Sequence, residues 1–131
     1  MASYFLDTYA LIEIIKGNEI YKKISGEKLY TSLFNLYELY YALLRDYNGE
    51  TAKKYFFQFK EIVIPMKDSY IFSASAFKLK NKKYKFSYAD CLGYNMALEN
   101  NMRFATGDKA FKGFDEVVYL KWEVVIPTSL D

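Results

Sequence analysis

The chain predicts an α/β fold, a three-layer α/β/α sandwich around a central parallel sheet of four to five strands. Three observations lead there. Short apolar runs alternate with longer stretches whose apolar residues recur every three or four positions, the pattern of strands buried on both faces and of the amphipathic helices that cover them. At 131 residues the chain can build one core of two or three layers but not two such cores, so residues 1–131 are expected to form a single domain. Apolar residues make up 52% and charged residues 26%, with 6 Gly and 2 Pro, a globular composition rather than a disordered one.

Taken in order, Ala2 to Leu6 is a short apolar run that ends at Asp7 and reads as the first strand. From Thr8 the period turns helical through Ala10, Leu11, Ile14 and Ile15 until Gly17 stops it. A short helix over Ile20 to Ile24 precedes Gly26 and a second strand over Lys28 to Thr31. From Ser32, Leu33, Leu36, Leu39, Tyr40 and Leu43 fall at helical spacing until Asn48-Gly49 breaks the run. Glu50 to Lys60 is helical around YFFQF, and Glu61 to Ile64 ahead of Pro65 reads as a third, fully buried strand. Asp68 to Leu79 is helical through Ile71, Ala74 and Phe77 and runs into Lys78, Lys80, Lys82, Lys83 and Lys85. A helix over about Tyr88 to Asn101, a fourth strand over Arg103 to Thr106 and a fifth over Val117 to Leu120 complete the series. Glu123 to Asp131 receives no element. In a doubly wound parallel sheet, ligands bind beyond the carboxyl ends of the strands, where strand order reverses. With the first and fourth strands as neighbours, Asp7 and Asp108 face one crevice.

The chain has no histidine, which removes Ser-His-Asp, Cys-His and His-ligated zinc chemistry and leaves carboxylates, lysines and hydroxyls. Its one cysteine, Cys91, has no internal disulfide partner and sits in an apolar helical pattern, so a reducing, cytoplasmic setting is expected. The N-terminal run lacks a basic leader and carries Asp7 and Glu13, so neither a signal peptide nor a membrane span is expected. Net charge is +2, and local clusters rather than overall charge must attract any nucleic acid. The 14 Tyr and 11 Phe are expected mainly in the core, although Tyr37, Tyr40, Tyr41 and Tyr47 on or near one helix would also suit a partner's amphipathic arm.

Four acids stand out. Asp7 and Asp108 are placed to cap short helices, and Ser87 with Asp90 forms an S-x-x-D capping box. Glu38 has no capping role, since it lies about two turns inside a helix. Capping is served equally by Ser, Thr or Asn, whereas a hard divalent cation needs carboxylate oxygens, and all four positions carry them.

The segments FLDTYALIEII, TSLFNLYELYYAL, SYADCLGYNMALENNMRFATGDKAF and VVYL together resemble the PIN-domain family, and within it the VapC-like toxins of toxin-antitoxin pairs. The resemblance runs from Tyr4 to Leu120 and implies a Mg²⁺- or Mn²⁺-dependent endoribonuclease, typically a homodimer blocked by a small antitoxin. Carried over, Asp7, Glu38, Asp90 and Asp108 match the acidic quartet, and Thr106 matches the Thr or Ser two residues before the last acid. Asp7 and Asp90 are the expected direct ligands, with Glu38 and Asp108 completing the site. Thr106, Ser87, Lys109 and Lys85 are candidate substrate contacts, and the lysines from Lys78 to Lys85, with Lys112, are candidate basic flanks for RNA. Two positions depart from the family. Tyr9 stands where Asn is common, and Ala110 where a further acid often follows. Two other readings use the same acids. A phosphoacceptor receiver domain would want an Asp after its third strand, where Pro65-Met66-Lys67 stands, and a PIN-fold binding module would keep the fold without cleavage. A housekeeping RNA-processing nuclease is a further alternative to the toxin.

Overall fold

The computed structural model describes residues 2–120. The segment 123–131, which received no element from the sequence, lies outside them. Four parallel strands, β1 (Ser3–Leu6), β2 (Lys28–Tyr30), β3 (Arg103–Thr106) and β4 (Val117–Tyr119), stand in the order β2-β1-β3-β4. Five helices cover them: α1 (Thr8–Ile15), α2 (Leu33–Asp46), α3 (Gly49–Lys60), α4 (Asp68–Lys80) and α5 (Tyr88–Glu99). Glu19–Ile24, Lys82–Tyr84 and Lys109–Phe111 are 3₁₀ turns. No helix among the described residues is long and apolar enough to cross a membrane.

The strands alternate sides as period-two geometry requires. Phe5 pairs in register with Tyr30 and Phe104, and Phe104 with Val117. That row faces the core under α4 and α5. One residue on, Leu6, Ala105 and Val118 line up and face the core under α1, α2 and α3. The first core is aromatic, with Phe86 stacked on Phe111 at 4.1 Å between centroids and Phe5 stacked on Phe104 at 6.0 Å. The second is built mainly from Leu, Ile and Ala. Gly93 lets α5 lie close on the first core, for a Cβ there would stand 2.8 Å from the Phe5 ring.

The predicted strand over 61–64 is corrected. It contributes only an isolated bridge between Val63 and Thr31, beyond the end of β2. Ile62 and Val63 still donate backward to Phe59 and Lys60, Thr31 exchanges two bonds with Ile62 and Ile64, and Pro65 has no N–H with which to extend the pairing. The aromatic expectation also changes. Tyr37, Tyr41 and Tyr47 are exposed at 72%, 61% and 56%, and only Tyr40 leans into the core. On α4 the inward residues are Tyr70, Ala74 and Phe77, while Ile71 is exposed.

Candidate active site

The strand order reverses between β1 and β3, and the chain leaves both strands at the same end of the sheet. Asp7 follows β1 directly and caps α1, its Oδ1 accepting the Ala10 N–H at 2.7 Å. Its Oδ2 accepts the Thr106 hydroxyl at 2.5 Å. The Thr106 oxygen in turn accepts the Asp108 N–H at 3.0 Å. Asp108 caps the 3₁₀ turn after β3 by accepting from Ala110 at 2.9 Å. One hydroxyl thus ties the ends of the two central strands together.

Asp90 enters from α5. Its N–H donates to Ser87 Oγ and its Oδ2 accepts the Ser87 N–H, each at 3.0 Å, a complete capping box. Glu38 enters from α2. Its Oε1 accepts the Thr8 hydroxyl at 2.6 Å, while Asn35 Nδ2 donates to the same Thr8 oxygen at 3.1 Å. Ser32, the N-cap of α2, holds Asn35 through a 2.6 Å bond from its hydroxyl. Sequence inspection missed Thr8, Asn35 and Ser32 as supports of the site; the Ser32-x-x-Asn35 spacing at a helix start was the available signal.

Electrostatics join three of the four acids. Asp7 is only 3% exposed, and burial pushes its pKa up to about 7 against the bonds from Thr106 and Ala10, with the charges of Asp90 and Asp108 pushing the same way. Burial also raises Asp90; its Ser87 bonds oppose this, Asp108 adds to it, and Lys78 pulls it down. Glu38 is joined to them through Thr8, the residue after Asp7. Tyr21 places a fully buried hydroxyl, without a hydrogen-bond partner among the described residues, within the influence of Asp7.

Among the expected substrate contacts, Thr106 is fully buried and its hydroxyl serves Asp7 and Asp108. Ser87, Lys85 and Lys109 are exposed. Tyr9 lies partly buried against Gly107, where a Cβ would stand 2.0 Å from its ring.

The fold is that of an α/β protein with a parallel sheet, near whose switch point Asp7, Asp90 and Asp108 feel one another's charge. A family model for the PIN domain matches residues 4–117, and the chain belongs to that family. Its fold is similar to a toxin-antitoxin complex from Klebsiella pneumoniae, with 18% identity and a TM-score of 0.72 over 92% of this chain and 99% of the other. It is similar to VapBC-1 from nontypeable Haemophilus influenzae, with 20% identity and a TM-score of 0.70 over 89% and 96%. VapC20 of Mycobacterium tuberculosis, described as a sarcin-ricin loop cleaving toxin, gives 16% identity and a TM-score of 0.68 over 87% and 98%. Among curated proteins, none matches the chain.

Proposed function

We propose that this PIN-domain chain is a metal-dependent endoribonuclease and the toxin of a toxin-antitoxin pair, acting in the cytoplasm. The observation that carries the proposal is the buried Asp7 at the end of β1, whose charge is opposed by Asp90 at the start of α5 and by Asp108 after β3. An interior carboxylate whose neighbours repel its charge is costly in isolation, and a divalent cation reverses that cost. Oxygen-only donors fit Mg²⁺ or Mn²⁺. Among the described residues no three acids already converge at ligating distance. Mg²⁺ tolerates this, because it commonly takes one or two carboxylates and fills its remaining positions with water and substrate phosphate.

In this reading Asp7 and Asp90 would hold the ion, with Glu38 and Asp108 completing the acidic site. Bound there, the cation supplies a water acidified toward neutrality for attack on the phosphodiester. Thr106 fixes the orientation of Asp7, Thr8 that of Glu38, and the Ser87 box that of Asp90. Lys109, beside Asp108, and Lys85 draw the phosphate backbone toward the acids.

The antitoxin and homodimer are part of the same proposal. Leu33, Tyr37, Tyr40, Phe56 and Phe57 line an apolar groove of about 370 Å³ between α2 and α3, suited to an amphipathic arm. Named relatives include toxin-antitoxin complexes and an RNA-loop-cleaving toxin, which supports the assignment. Cleavage of a labelled structured RNA with Mg²⁺ or Mn²⁺, abolished by EDTA and by Asp7→Asn, is the expected result. Metal-independent cleavage, or an active Asp7→Asn protein, overturns it. Ala110, in place of a further acid, favours a second reading as a binding module; metal titration that gives RNA binding without cleavage selects that reading.

A further inference from the structure

Beside the capping box of α5, a cavity of about 340 Å³ is lined by Lys78, Lys82, Lys85, Phe86 and Tyr88 among others. An apolar slot of about 220 Å³ adjoins it, lined by Phe34, Ile71, Cys91 and Leu92. Lys78 and Tyr88 belong to both walls. One side of this pair is cationic and the other apolar.

Lys78 is held in place. Its Nζ donates to the Phe86 carbonyl at 2.5 Å and sits 4.7 Å from the centroid of the Tyr88 ring. Tyr88 is 76% exposed, so its outer face is open to a ligand while Lys78 lies over the ring. The ion pairs among the described residues are Lys22–Glu19 and Arg45–Asp46, and none of them involves Lys78, Lys82 or Lys85. Lys85 has a left-handed backbone, φ 56°, where Gly or Asn is favoured on conformational grounds. The site is electrically continuous with the acid cluster, since Asp90 feels the charge of Lys78.

We propose that this paired cavity is a nucleotide subsite for single-stranded RNA. It rests on the nuclease reading and extends it. Lys82 and Lys85 take a phosphate of the strand and the Tyr88 ring, backed by Lys78, stacks a base whose far edge enters the apolar slot. A nucleotide combines the two demands, an anion and a flat apolar face. A solvated helix end would explain the lysines, but neither the open aromatic ring nor the slot beside it.

The test uses the full chain carrying Asp7→Asn, in EDTA, with a fluorescent single-stranded oligoribonucleotide and binding read by anisotropy across a salt series. Tyr88→Ala weakens binding roughly 5- to 100-fold with the salt slope unchanged, and Tyr88→Phe restores it. Lys82→Ala with Lys85→Gly weakens binding and flattens the salt slope by about 0.7, the single-strand value for one phosphate contact. The same pair holds or raises the melting temperature, since Gly relieves the backbone at position 85.

Unchanged affinity in Tyr88→Ala, an unchanged slope in the lysine pair, or no RNA binding at all overturns the subsite. So does loss of self-association in Tyr88→Ala with RNA binding intact, which marks a protein interface instead. The nuclease reading fails separately. Subsite-dependent binding without cleavage by the parent chain in any divalent cation leaves the subsite standing, whereas metal-dependent cleavage with indifferent variants leaves only the nuclease.

Discussion

Asp7 and Asp90 use a related local device at different depths. Each carboxylate accepts a backbone N–H at the start of a helix. Asp7 does so in the interior at the end of a central strand, with both oxygens engaged. Asp90 does so at the rim, partnered with an exposed Ser87. The cap settles where the oxygen sits, and depth settles what its charge costs. A motif recognisable in four residues therefore says little about chemistry until the layers around it are known.

Removing the interior charge has the largest expected effect. Asp7→Asn lowers RNA cleavage by roughly 10³-fold or more, measured with labelled substrate in Mg²⁺. The same change affects stability in a pH-dependent way. An unfolded Asp releases its proton near 3.8, whereas folded Asp7 keeps it to about 7. Between these values the native state holds a proton that the unfolded chain has lost, so stability falls as pH rises across the window, by up to about 4 kcal/mol from this group. Asp7→Asn accordingly melts well above the parent at pH 8 and close to it at pH 4, by calorimetry. Equal melting temperatures at pH 8 would show that burial does not penalise the Asp7 charge.

Thr106→Val comes next. It removes the donor to Asp7 and strands the Asp108 N–H, costing about 1–3 kcal/mol in denaturant unfolding and about 10- to 100-fold in cleavage. Asp90→Asn sharpens the contrast from the other side. Its amide oxygen still accepts the Ser87 N–H, so stability shifts by only about 0.5 kcal/mol, while cleavage falls with the lost charge. Cleavage at the parent rate would reduce Asp90 to a cap. The smallest effect on cleavage is expected of Ser87→Ala, which largely keeps it while costing about 1 kcal/mol of stability by the same unfolding assay.

Much of the frame was legible because it is local. Ser32, Asn48 and Ser87 each accept an N–H at the start of the helix that follows, and the alternation of apolar runs carried the parallel sheet. The run at 61–64 misled because an apolar tetrapeptide before Pro has the composition of a strand, while pairing depends on what lies alongside, and there only Thr31 does. On α2 the face holding Leu36, Leu39 and Leu43 is buried, but the exposure of Tyr37 and Tyr41 on the same helix is set by α3 and the sheet, not by their own spacing. At the site, the four acids were visible as residue types. The tie of Thr106 to Asp7 and that of Thr8 to Glu38 join distant segments, and no local pattern announces them.

Gly107 and Tyr9 carry a consequence for the lineage of this chain. The ring occupies the volume that any side chain at 107 would need, so the two positions cannot drift independently although they lie at opposite ends of the sequence. A shrinkage of Tyr9, for instance to the Asn common among relatives, leaves position 107 free to vary afterwards. In the reverse order a side chain at 107 meets the Tyr9 ring, which must shift to admit it. Chains of this fold with bulk at 107 are expected to have a small residue, or a displaced ring, at 9.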